Sequence, residues 1–92
     1  MRYYLGTCEY KWSHTAAQGN EHMENIWVRR EIGEDLYNEI SQKNYTLVLL
    51  HSNGIVEDIF CRCDIYVDIK NERQALLFGI KHTKAKRIEK TL

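Results

Sequence analysis

Between Ile55 and Ile69 the odd positions read Ile55, Glu57, Ile59, Cys61, Cys63, Ile65, Val67 and Ile69, while the even ones include Asp58, Phe60, Arg62, Asp64, Tyr66 and Asp68. A helix would scatter these residues around its whole circumference. Only an extended strand sorts them onto two faces, since successive side chains of a strand point to opposite sides. The chain is therefore expected to build a sheet with one apolar face, and another layer has to cover that face.

The flanking segments supply the rest. Arg2 to Trp12 is rich in Tyr and Trp, with Tyr4, Cys8, Tyr10 and Trp12 on one parity, and predicts a first strand. Ser13 to Met23 has small and polar residues, a Gly-Asn pair and no lasting period, so it predicts a long loop, in which Thr15 and Gln18 could cap one helical turn. Glu24 to Arg30 sets Ile26 and Val28 opposite Trp27 and Arg29 and predicts a second strand. From Glu34 to Lys43 the apolar spacing of Leu36, Tyr37 and Ile40, with Glu34 and Asp35 in the first turn, predicts a short amphipathic helix.

Asn53-Gly54 between two apolar runs predicts a hairpin, with Ser52 facing Ile55, Val48 facing Ile59 and Leu47 facing Phe60. After the polar turn from Lys70 to Arg73, Ala75 to Lys81 predicts a last strand, and Thr83 to Lys90 a short basic helix or frayed tail. The expected architecture is a single α+β domain over residues 1–92, in the order β-β-α-β-β-β. An antiparallel sheet of about five strands carries one helix on its apolar face.

Composition narrows the class. Apolar residues at 43% and charged residues at 28% are ordinary for a globular chain and exclude the low-hydrophobicity signature of disorder. No run approaches the length of a membrane span and no leader pattern opens the sequence, so the expected location is the cytoplasm, without membrane contact. The three cysteines are an odd count, which points away from a disulfide framework. Net charge is zero, but Lys81, Lys84, Lys86, Arg87 and Lys90 crowd one end against Glu89 alone, leaving the remainder acidic. The proline-free composition, rich in Ile, Asn, Lys, Glu and Tyr, hints at an AT-rich genome such as a phage or mobile element, and hence at the host cytoplasm.

Cys61 and Cys63 point the same way, so a zinc ion would need two further ligands from Cys8, His14, His22, His51 and His82. Structural zinc pairs favour knuckle turns, whereas Cys-x-Cys within an Ile/Val-rich strand places both sulfurs among apolar side chains, where a thiol behaves as a small hydrophobe. Packing is the expected role, and neither metal nor cofactor is expected.

Two surfaces could bind. The even face of the long strand, with Asp58, Phe60, Arg62, Asp64, Tyr66 and Asp68, alternates charge with rings that suit a protein interface. The loop carrying His14, Gln18, Asn20 and His22, next to Trp12, is longer than structure alone requires. The sequence holds no Gly-rich phosphate loop, His-Glu-x-x-His or nucleophile elbow, and no catalytic residue is assigned. The expected function is a small non-enzymatic module that inhibits or regulates a larger protein or nucleoprotein complex, of the kind a phage uses against host defence. The main alternative is nucleic-acid binding through Lys81, Lys84, Lys86, Arg87 and Lys90. A small ribonuclease or anion-binding protein is a further one, and pairing of the Arg2 to Trp12 edge with its copy would give a homodimer.

Overall fold

A computed structural model describes residues 1–11, 17–52 and 60–88. In chain order the elements are β1 (Arg2–Lys11), α1 (Ala17–Ile32), α2 (Glu34–Gln42), β2 (Thr46–Ser52), β3 (Phe60–Asp68), α3 (Glu72–Lys81) and β4 (Lys86–Ile88). The strands form one antiparallel sheet in the order β2-β3-β1-β4. The fold is α+β as expected, with four strands and three helices among the described residues in place of about five strands and one helix. Helices fill the two connections that link non-neighbouring strands, which is split β-α-β, or ferredoxin-like, connectivity.

The period-two stretch behaves as its alternation requires. Cys63, Ile65 and Val67 are all 0% exposed on one side of β3, while Asp64, Tyr66 and Asp68 are half-buried on the other and Arg62 is exposed. The apolar side meets all three helices. Tyr3, Val67 and Ile69 pack with Ile40 of α2 and with Ala75 and Phe78 of α3. Cys8, Cys63 and Ile65 pack with Val28 of α1.

Two segments expected as strands are helical. Glu24 to Arg30, with much of the expected loop before it, belongs to α1. Val28, which is buried, and Ile32, which packs against both buried clusters, recur at a helical spacing of four, and Arg29 and Arg30 suit the last turn of a helix. Ala75 to Lys81 belongs to α3, whose start is set by Asn71, its side chain accepting a hydrogen bond from the Gln74 N–H at 2.9 Å. The buried pair Ala75 and Phe78 then has helical spacing.

The Asn53-Gly54 turn lies outside the described residues, but the register of its strands is not the expected one. Ser52 stands opposite Arg62, Val48 opposite Tyr66 and Leu47 opposite Val67. Pairing Leu47 with Phe60 would have set odd residues of β2 against even residues of β3, placing the apolar sides of the two strands on opposite faces. The observed register matches Leu47 with Val67 and Leu49 with Ile65. The expected basic helix or tail instead contains β4, which pairs with Arg2 to Tyr4 of β1. The first strand, expected at a sheet edge, is therefore interior over those residues. The helix expected from Glu34 is α2, with Ile40 buried.

Strand β1 is bulged. Tyr4 stands opposite Tyr66, Gly6 opposite Ile65 and Thr7 opposite Asp64, so Leu5 is the extra residue. The bulge moves Cys8 onto the core side with Tyr3 and separates it from Tyr4, with which the simple alternation had grouped it. Gly6 takes a φ of 154°, and a Cβ there would lie 3.2 Å from a Glu31 carboxylate oxygen, so glycine serves both the backbone and the close approach of α1.

Candidate functional site

With the helices on one face, the other presents Arg2, Tyr4, Thr7 and Glu9 of β1 beside Asp68, Tyr66, Asp64 and Arg62 of β3. Lys86 joins from β4, and Thr46, Val48 and Leu50 from β2. Among the described residues no element packs on this face. The backbone pattern explains its geometry. Met1 and Ile69 exchange both backbone hydrogen bonds, each at 2.8 Å. Bonded and non-bonded pairs alternate in an antiparallel ladder, so Arg2–Asp68, Tyr4–Tyr66, Thr7–Asp64 and Glu9–Arg62 are the non-bonded pairs, whose side chains come closest.

Three of these pairs use that proximity, while Arg62 of the fourth turns to Asp64. Arg2 grips Asp68 with two parallel bonds, Nε to Oδ1 at 2.6 Å and a terminal nitrogen to Oδ2 at 2.9 Å. The Arg2 hydrogen bonds hold the Asp68 carboxyl below its usual range, and Asp68 in turn raises Arg2. The guanidinium also stands 5.6 Å from the centre of the Tyr66 ring. Tyr66 and Tyr4 meet with centroids 5.4 Å apart at 58°. Thr7 Oγ1 donates to Asp64 Oδ1 at 2.7 Å, so its hydrogen bond with the Tyr4 hydroxyl is one that it accepts. Arg62 Nε lies 3.7 Å from the same Asp64 oxygen.

The result is a surface with an aromatic centre and charges that balance within the face. Among the side chains described, the cations Arg2, Arg62 and Lys86 are matched by Glu9, Asp64 and Asp68. Leu50, 46% exposed, adds an apolar spot on β2.

Of the residues singled out from the sequence, Arg62, Asp64, Tyr66 and Asp68 come together here. Phe60 lies in β3 on the same parity, and its side chain is not described. Asp58, Trp12 and His14 lie outside the described residues. Gln18, Asn20 and His22 belong to α1 rather than to a loop, and their side chains are not described. Sequence reasoning missed Arg2, Tyr4 and Thr7, because the bulge breaks the alternation of β1; Gly6 inside a strand pattern was the available signal.

The basic segment is divided by the fold. Lys81 ends α3 and reaches Glu39 at 3.0 Å, Lys84 sits in the following turn, and Lys86 and Arg87 point to opposite faces of β4. Lys90 lies outside the described residues. Glu39 also meets His82 Nε2 at 3.0 Å; burial pushes its carboxyl up, but Lys81 and His82 together leave it below its usual range.

Cys63 occupies the core opposite Cys8, and Cys61 stands opposite Tyr10 with its side chain not described. Among the described residues no group of three or more His, Cys, Asp or Glu is placed to hold a metal ion, and no helix is long and apolar enough to cross a membrane. Comparison with family models, curated proteins and solved structures finds no match.

Proposed function

We propose that the chain is a non-enzymatic protein-binding module that docks on a larger protein or nucleoprotein complex through the uncovered face of its sheet. The Tyr4–Tyr66 pair, framed by Arg2–Asp68 and Thr7–Asp64, carries this reading. Tyr and Arg are favoured anchors at protein interfaces. Side chains already held by one another lose little further freedom on docking, which keeps the entropic cost of binding low. The balance of charge on the face favours a partner recognised by shape and rings over one recognised by phosphate.

One observation supports a second reading. Aromatic rings on the two central strands of a four-stranded sheet, with Lys86 alongside, are the arrangement on which single-stranded RNA bases can stack. Against it stand Glu9, Asp64 and Asp68 along the same path.

A photo-cross-linking phenylalanine analogue in place of Tyr66, irradiated in cells of the source organism or its host, separates the two. A discrete protein adduct that survives nuclease is expected, and the same probe at Glu72, on the helix layer, should not form it. Adducts that nuclease removes would favour RNA, and labelling equal to that at Glu72 would sink both readings.

A further inference from the structure

Strand β1 runs to Lys11, but β4 covers it only from Arg2 to Tyr4. Among the described residues no strand pairs with β1 on that side beyond Tyr4. The alternation anchored by the Met1–Ile69 pair turns the backbone N–H and C=O groups of Arg2 and Tyr4 towards β4, and those of Thr7 and Glu9 the same way past its end.

A groove of about 550 Å³ lies along this edge. Thr7, Glu9 and Arg62 line it from the uncovered face of the sheet, and Trp27, Arg30 and Glu31 line it from α1 on the opposite face. A single space can touch both faces only where it wraps around the edge of β1. It therefore occupies the place that a longer β4 would have taken.

We propose that this edge accepts an extended segment of a partner protein, which adds to the sheet as a strand in line with β4. Thr7 and Glu9 present the backbone donors and acceptors of one edge, the complement of any strand. The side chains around them select its sequence. Arg30 lies over the Trp27 ring at 5.1 Å and Arg62 is directed to Asp64, so both cations are engaged within the chain. Glu9 and Glu31 are exposed carboxylates on opposite faces of the edge, and the missing side chain of Gly6 leaves room for Glu31 beside it. Successive residues of an added strand point to opposite faces. The segment that fits carries two consecutive basic residues, one for Glu9 and the next for Glu31.

This proposal stands apart from docking through the sheet face, because it uses the edge and would hold if that face had no partner. Amide hydrogen exchange at Thr7 and Glu9 of the full chain, followed by NMR, tests it directly. The probe is an octapeptide of alternating Thr and Val around a central Lys-Arg pair. Both amides are expected to exchange rapidly in the chain alone and to slow by about tenfold or more at saturating peptide.

The same peptide N-methylated at alternate residues should protect neither amide. A Glu-Glu version, or the E9Q/E31Q variant with the Lys-Arg peptide, should bind about tenfold more weakly. Amides already protected at every protein concentration would mean that the chain closes its own edge. Protection that disappears on dilution would assign the edge to a second copy, and rapid exchange at millimolar peptide would leave no added strand; each of these overturns the proposal. The Tyr66 cross-link reads a different surface, so either proposal can fail alone.

Discussion

Gly79 shows how one atom can reverse an intrinsic preference. In a helix interior, replacing glycine by alanine ordinarily stabilises by about 1 kcal/mol. Here an added Cβ would fall 2.6 Å from the Tyr3 hydroxyl oxygen, which donates to the Ala75 carbonyl at 2.8 Å and ties α3 to β1. Gly79→Ala is expected to destabilise by about 1–3 kcal/mol. In a Tyr3→Phe background, where the clashing oxygen is gone, the cost should shrink, so a double-mutant cycle in urea should show strong coupling; additive effects would mean that the two residues do not meet. Neighbouring positions on α3 diverge in the same way. Phe78→Ala should cost about 3–5 kcal/mol because the ring is 2% exposed, whereas Ile80→Glu, at 73% exposed, should stay within about 0.5 kcal/mol.

Carboxylates join the elements in pairs. Asp68 links β3 to β1 through Arg2, and Glu39 links α2 to the end of α3 through Lys81 and His82. Both carboxyls lie below their usual range in the folded chain. The unfolded state therefore binds more protons, and the stability these groups contribute is present above the ordinary carboxylate range. It is lost as pH falls through their lowered folded values. Urea midpoints should hold steady from neutral pH to about pH 5 and then drop, and the D68N/E39Q variant should show a smaller drop between pH 5 and pH 3. An equal drop in both proteins would place the acid sensitivity elsewhere.

At the scale of the molecule, the two buried clusters are not independent. Leu5, Ile32 and Leu47 pack against both, so neither can loosen without exposing side chains of the other. Thermal unfolding followed by far-UV circular dichroism and by tryptophan fluorescence should give coincident transitions. Leu5→Ala should lower both by the same amount, and separate midpoints would show two cooperative units. Charge acts at this scale too. Because Lys84 and Arg87 lie away from the uncovered face, replacing both by Ala should leave the nuclease-resistant adduct of the Tyr66 probe unchanged. Loss of that adduct would tie binding to the basic segment.

The sequence by itself determined where local chemistry leaves one solution. Residues Cys63 to Asp68 had to form a strand with a buried odd side, because no other conformation sorts those side chains, and Glu34 to Gln42 had to be an amphipathic helix. Four members of the candidate face, Arg62, Asp64, Tyr66 and Asp68, were legible for the same reason. The tertiary structure decided what local pattern leaves open. Glu24 to Arg30 and Ala75 to Lys81 read equally as short strands, and they are helices because Val28, Ala75 and Phe78 then meet one apolar sheet face. The register of β2 answers to matching of buried faces across β3, and Thr7 joins Tyr4 on the site only because a bulge at Leu5 reverses the parity of β1. Such choices depend on contacts between residues far apart in the chain, and a window of neighbouring residues contains none of them.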